Sequence, residues 1–307
     1  MGANAIGIDV GGTKIRAVCV DCAGRFLRQA LAPTPKHRPE ALAQIVRLIK
    51  GLSDSSTMSV GIGVPGPVDF RRQILRTLPN LQGWKNVPLS KIIQKQTGLP
   101  CTTDNDAKCF LLAEMKIGAA KGRKNVLGLV IGTGVGGAIA INGEIYRGAD
   151  GFAGEAGHMV ISGKAGHHSS RNECSLEALA SGEAVRWRAL SQLSQAHSGR
   201  KTALSPDGLN SKAVFYAARK GDALASEIVG ECAADLGVGI ANLVNILNPE
   251  IVVIGGGLGA QLDLLLPKIR AKLRQLCFPP ASAVKVVRGK VDAAGAVGAA
   301  FLGNAVV

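Results

Sequence analysis

A strand, a glycine turn and a second strand occur in that order twice in this chain, and no other feature restricts its fold as tightly. The first copy is Ile6-Gly7-Ile8-Asp9-Val10-Gly11-Gly12-Thr13-Lys14, followed by the apolar run Ile15 to Val20. Apolar, β-branched runs on either side of a short glycine segment read as two strands joined by a tight turn. The second copy runs from Val126 to Thr133, through Gly134-Val135-Gly136-Gly137, to Ala138–Ile141. A supersecondary unit that recurs within one chain predicts two similar half-structures facing one another. Glycine lets the backbone bend and brings its N–H groups close to an anion. Asp9 offers a carboxylate to a metal-bound water and Thr13 adds a hydroxyl, so the expected ligand is a polyphosphate with its Mg²⁺.

The remaining segments fit an α/β layer structure. Gly24 to Ala32 reads as a third strand, and Pro39 to Lys50 as a helix with Leu42, Ile45, Val46 and Ile49 at helical spacing. Met58 to Val64 is a buried strand ended by the sharp turn Pro65-Gly66-Pro67. The turn-rich stretch Leu78 to Trp84 ends on an aromatic expected at the surface. Leu89–Gln96 is a short helix and Pro100–Thr103 a short strand. Asn105-Asp106 opens a helix over Ala107–Ala119, a place where an Asp or Asn is often only a cap.

Asp150 to Glu177 is polar and glycine-rich, with the ligand-type side chains Glu155, His158, His167, His168, Cys174 and Glu177. Leu176–Leu190 is expected as one helix, Ser194–Asn210 as loop, and Asp222–Leu247 as a long alanine-rich helix. Glu250–Ile254 is a buried strand with Gly255-Gly256-Gly257 at its carboxyl end, where ligands of open α/β sheets gather. An amphipathic basic helix (Asp263–Leu276), a strand (Val284–Val287) and a small-residue helix (Ala293–Leu302) complete the chain. The last of these suits close packing against a neighbour.

Composition narrows the class. A chain of 307 residues, 47% hydrophobic, can bury a substantial core in one large or two ordinary domains. No apolar run reaches membrane-spanning length, and the first strand begins too early for a signal peptide. Seven scattered cysteines, mostly in apolar contexts, read as small core residues in a reducing cytoplasm. The net charge of +14 raises the question of a polyanionic partner, but only 4% of residues are aromatic and no nucleic-acid-binding pattern is present. Solvated faces of a phosphate-handling enzyme account for the charge; inorganic polyphosphate as donor is the alternative.

The ordered motifs together resemble the ROK family (repressors, open reading frames and sugar kinases) of the actin-like and hexokinase-like ATPase superfamily. The likeness spans nearly the whole chain. It is carried by Asp9-Val10-Gly11-Gly12-Thr13, Gly63-Val64-Pro65-Gly66-Pro67, Pro79-Asn80-Leu81 with Gly83-Trp84, Asn105-Asp106-Ala107, and Gly132-Thr133-Gly134-Val135-Gly136-Gly137. Gly154-Glu155-Ala156-Gly157-His158, Leu176-Glu177 and Gly255-Gly256-Gly257 continue it. The resemblance implies two ribonuclease-H-like α/β domains of the actin-like ATPase type flanking a cleft. The first would be 1–118, completed by a C-terminal helix at 292–307, and the second 119–291.

The resemblance also implies a reaction, transfer of the γ-phosphoryl of ATP to a hexose, with glucose phosphorylated at its 6-hydroxyl as the leading expectation. By carry-over, Asp106 takes the hydroxyl proton, and Gly66, Asn80, Asn105, Glu155, His158 and Glu177 bind the sugar. Asp9 would hold Mg²⁺ through water. Gly11, Gly12, Thr13, Lys14, Thr133 and Gly134 would face the phosphates, and Gly256 and Gly257 would lie under the adenosine. Members often dimerise, so a homodimer is expected, in a cytoplasmic glycolytic setting.

One departure stands out. Many members carry a zinc site of a histidine and three cysteines, whereas His158, His168 and Cys174 supply at most three of the four ligands a structural zinc wants, with His167 a doubtful fourth. Zinc is therefore not expected. Competing readings are a kinase for another hexose or an N-acetylhexosamine (N-acetylglucosamine, N-acetylmannosamine, fructose, allose), a sugar-binding relative without activity, or a DNA-bound ROK regulator. A regulator of that kind carries an additional N-terminal DNA-binding domain, which is not expected where the first strand comes so early unless the chain is a fragment.

Overall fold

The computed structural model describes residues 3–78, 83–163, 173–195 and 201–304. The chain divides into two compact units: residues 1–128, 138–154 and 289–307 form unit 1, and residues 129–137 and 155–288 form unit 2.

Unit 1 opens on the hairpin β1 (Asn4–Val10) and β2 (Lys14–Val20), extended by β3 (Phe26–Pro33). Helix α1 (Arg38–Leu52) returns the chain to β4 (Thr57–Val64), and β5 (Val68–Asp69) with β6 (Ile74–Leu75) form a small separate hairpin. Helix α2 (Leu89–Thr97) leads into β7 (Cys101–Asn105), which runs directly into α3 (Asp106–Ile117). The sheet order is β3-β2-β1-β4-β7. It is antiparallel through the hairpins and parallel from β1 to β4 to β7.

The second sheet repeats this order with new strands. β8 (Val126–Ile131), β9 (Val135–Ile141) and β10 (Glu144–Tyr146) stand where β1, β2 and β3 stand in the first. Then come a 3₁₀ turn (Ala156–His158), α4 (Leu176–Ala180), α5 (Gly182–Gln195), α6 (Ser211–Arg219) and α7 (Ala223–Leu247). β11 (Ile251–Gly255), α8 (Gly256–Gly259), α9 (Leu262–Leu276) and β12 (Lys285–Arg288) follow. The resulting order is β10-β9-β8-β11-β12, so the internal echo extends from the glycine turns to the whole sheet.

The last helix, α10 (Ala294–Asn304), packs in unit 1 on β1, β4 and α3. A Cβ on Gly7 would lie 1.8 Å from Ala296 O, one on Gly61 1.6 Å from Ala299 O, and one on Gly298 1.7 Å from Cys109 O. Glycines on both sides let backbone meet backbone, which explains why this helix is built from small residues.

Two expectations are corrected. Trp84 is 2% exposed and joins the core of α1, α2 and the first sheet, packed with Ile45, Ile49, Leu89 and Ile93. Turn-rich composition marks where a chain bends; it carries no information on what the bend covers. The helix expected over Leu176–Leu190 is two helices broken at Ser181, whose backbone is extended and whose hydroxyl accepts from Ala184 N–H. The break lets Gly182 N–H donate to Gly132 O at 2.8 Å, tying α5 to the second glycine turn.

None of the seven cysteines forms a disulfide; Cys19, Cys109, Cys232 and Cys277 are buried and Cys22 is exposed. Among the described residues, no helix is long and apolar enough to cross a membrane.

Candidate active site

In unit 1 the strand register aligns Asp9 with Gly63 and Gly63 with Asp104, one row at the carboxyl ends of three parallel strands. Two strand spacings of ~4.8 Å place the outer pair of backbones about 10 Å apart. Asp9 lies beside its antiparallel partner Arg16. Although part of its side chain remains accessible, the dense surroundings push its carboxyl up to about 6, against the pull of Arg16. A Cβ on Gly295 would lie 2.8 Å from Asp9 Oδ2, so this glycine in the first turn of α10 makes room for the carboxylate. A desolvated carboxylate of this kind is suited to a cation.

The β1–β2 turn exposes Gly12, Thr13 and Lys14. Gly11 N–H donates to Lys14 O at 2.9 Å, and Gly11 O accepts the Thr34 hydroxyl at 2.7 Å. Thr34 N–H donates back to Thr13 O. Thr34, which no local motif distinguishes, therefore braces the turn from β3. Glycine is needed at position 11 because a Cβ there would crowd Lys14 O at 2.9 Å; its backbone is not left-handed.

The β7–α3 corner settles which residue caps the helix. Asn105 Oδ1 accepts from Ala107 N–H (3.0 Å) and Lys108 N–H (3.2 Å), and its Nδ2 lies 3.4 Å from Gly66 O. The cap thus falls on Asn105, and Asp106 follows as the first helical residue, accepting from Ala107 N–H at 2.8 Å. Gly63 lies beneath it: a Cβ there would be 3.5 Å from Asp106 Cα. Gly66, Asn105 and Asp106 therefore meet at the same sheet end as Asp9. Asn80 lies outside the described residues.

In unit 2 the second glycine turn is organised by Val135. Its N–H donates to Glu177 Oε2 at 2.9 Å, and a Cβ on Gly157 would lie 2.1 Å from its carbonyl oxygen. Gly134 is equally constrained, its missing Cβ falling 2.3 Å from Glu177 Oε2. Met159 O accepts from Leu176 N–H, and Val160 bridges Ser175 in antiparallel register, so the chain just after His158 is tied to the start of α4, which carries Glu177. Glu155, His158 and Thr133 are exposed.

Among the described residues no three His, Cys, Asp or Glu side chains cluster to hold a metal. Of the remnant zinc ligands, Cys174 lies beside this bridge, its carbonyl accepting from Ile161 N–H, and His158 ends the 3₁₀ turn before it; His167 and His168 lie outside the described residues.

A cavity of about 600 Å³ in unit 2 begins at Gly132 and Thr133. Gly257, Leu258, Arg186, Phe215, Tyr216 and Arg219 are among its lining residues. Gly256 has φ +76°, and a Cβ on it would lie 2.4 Å from Ile131 O, so only glycine fits where α8 meets the end of β8. The expected Thr133 and Gly257 are at this cavity. Phe215, Tyr216 and Arg219 were not legible beforehand, because α6 carries an ordinary amphipathic pattern.

The family model described as ROK family matches residues 5–305. Glucokinase from Thermotoga maritima is 34% identical over 304 residues, covering 97% of this chain and 96% of that protein. Glucokinase from Halalkalibacterium halodurans is 36% identical, covering 89% and 86%. The structure of a ROK family glucokinase from Streptomyces griseus in complex with glucose and AMPPNP superposes with a TM-score of 0.85 at 31% identity, covering 99% of this chain and 100% of that one.

Proposed function

The chain belongs to the ROK family, and we propose that it transfers the γ-phosphoryl group of ATP to the 6-hydroxyl of glucose. The carrying observation is the row at the sheet end of unit 1. A desolvated carboxylate on β1 and a carboxylate heading α3 sit at the ends of strands joined through β4. One is suited to a phosphate-bound cation and the other to a hydroxyl proton.

Phosphoryl transfer has a loose transition state, so the protein's task is chiefly to align the attacking oxygen and to neutralise the phosphates. Asp106 accepts the proton of the sugar hydroxyl as its oxygen bonds to phosphorus and the bond to the ADP oxygen breaks. Such general base action contributes on the order of 10²–10⁴-fold. Asn105 fixes the corner through its cap and its contact with Gly66, which lets the turn at Gly66 approach the sugar. Mg²⁺, when bound, neutralises charge on the β- and γ-phosphates, and Asp9 would hold it through water. The glycine turns at Gly11–Lys14 and Gly132–Gly134, each with an exposed threonine, are assigned to phosphate oxygens. The cavity beyond Thr133, with its aromatic wall, is sized for a nucleoside and favours ATP over inorganic polyphosphate. Glu155, His158 and Glu177 are assigned to sugar hydroxyls, since paired acceptors reject a sugar that lacks one.

A coupled assay of ADP release, run with glucose, mannose, fructose, allose, N-acetylglucosamine and N-acetylmannosamine, tests the assignment. Glucose is expected to give the highest kcat/KM with ATP and no turnover with polyphosphate. A higher value for an N-acetylated sugar would reassign the acceptor, and absence of turnover with every hexose would overturn the reading.

A further inference from the structure

We propose that Lys108 and Arg147 are positioning residues for the acceptor sugar, locking the Asn105–Asp106 corner, the 66–70 segment and the 147–151 loop into one piece. The proposal deepens the kinase reading and rests on it.

Lys108 sits on the first turn of α3, two residues from the proposed base, and is 2% exposed. A buried ammonium is costly unless it is hydrogen-bonded. Its Nζ donates to Gly151 O at 2.7 Å. Gly151 reaches that position only as glycine: its φ is +89° and a Cβ would lie 2.0 Å from Val68 O. One tie therefore runs from α3 through the 147–151 loop to β5, just beyond the Gly66 turn.

The second tie joins the same three segments independently. Arg147 Nε donates to Asp104 Oδ2 at 2.9 Å, and its guanidinium lies 3.7 Å from the centre of the Phe70 ring. Asp104 is 2% exposed, and its other oxygen accepts from Asn105 N–H at 2.8 Å. The cationic plane is thus held between an aromatic face and a buried carboxylate, a geometry that suits arginine and not lysine.

The two ties bracket the site. Asp104 and Lys108 lie on either side of Asn105 and Asp106 in sequence, and Val68 and Phe70 follow Gly66 within four residues. A structural ion pair elsewhere in the fold would affect stability alone. Here, release of either tie shifts the base relative to the turn that approaches the sugar, and a displacement of ~1 Å is enough to cost ~10²-fold in rate.

Steady-state kinetics on the full chain separate these outcomes. Lys108→Met and Arg147→Met are expected to lower kcat/KM for glucose by about 10²-fold while KM for ATP stays near wild type; Arg147→Met also lowers the thermal midpoint, because it leaves the Asp104 carboxylate buried without its ion-pair partner. Lys108→Gln, which keeps a donor for Gly151 O, should recover part of the loss; Arg147→Lys, which keeps the charge without the planar stack, should recover little. Folded variants with wild-type glucose kinetics, or equal rises in both KM values, would overturn the proposal. If Lys108→Met does not fold, Arg147→Lys decides, since that side chain is 24% exposed and tolerates replacement. A wild-type protein inactive on every hexose defeats the kinase reading instead; an active wild type with unaffected variants defeats only this proposal.

Discussion

Asp9→Asn should stabilise the ligand-free protein while removing its activity. The carboxyl of Asp9 is pushed from 3.8 up to about 6 by burial. The folded state therefore holds this proton more tightly than the unfolded chain does. Below about pH 3 both states are protonated and the group is neutral to stability. As pH rises from 3.8 towards 6 the unfolded chain ionises first, so stability falls. Above about pH 6 the full penalty applies. At ~1.4 kcal/mol per pKa unit, the displacement corresponds to about 3 kcal/mol, an upper value because the side chain is partly accessible. Replacing the acid by its neutral isostere removes the penalty. In EDTA at pH 7.5, Asp9→Asn is expected to melt above wild type, at about 2–4 °C per kcal/mol for a unit of this size. The gap should narrow at pH 5 and close at about pH 3. With ATP and Mg²⁺ added, wild type should gain stability that the variant does not, through linkage to binding. A variant no more stable than wild type at pH 7.5, or a gap that is independent of pH, would refute the claim that this carboxylate is held under desolvation.

Asp106→Ala should lower kcat by about 10²–10⁴-fold while calorimetry still detects glucose binding; substantial retained turnover would remove Asp106 as the base. Gly256→Ala forces a side chain into a left-handed backbone 2.4 Å from Ile131 O. Strain of ~1–2 kcal/mol and overpacking of ~1–3 kcal/mol should lower the thermal midpoint and raise KM for ATP more than KM for glucose, and an unchanged ATP KM would separate this turn from the nucleotide. Metal analysis of purified protein should find well under one zinc per chain, and a stoichiometric zinc would mean that ligands beyond His158 and Cys174 complete a site.

The sequence by itself determined the parts of this protein that depend on neighbours a few residues apart. The two glycine turns, the β-branched runs around them and the small-residue final helix are local signals, and each became the predicted kind of segment. The repeated order of those signals was enough to anticipate two sheets of one topology. The placement of Asp9 near a strand end and of Asp106 at a helix start was legible because each is a local pattern.

The tertiary structure decided everything that depends on which distant segments meet. Whether Asn105 or Asp106 caps α3 turned on a fraction of a turn of backbone and on the approach of Gly66. Trp84 was buried by contacts with α1 and α2 that its own loop does not announce. Ser181 broke a helical pattern because Gly182 N–H found Gly132 O, a partner fifty residues away in sequence. Lys108 and Thr34 carry no signal in the sequence; only the fold brings Lys108 to Gly151 O and Thr34 to Gly11 O. Propensity and periodicity report the short-range part of the energy, whereas burial, carbonyl partners and cavities arise from long-range contacts that exist only after the chain has closed on itself.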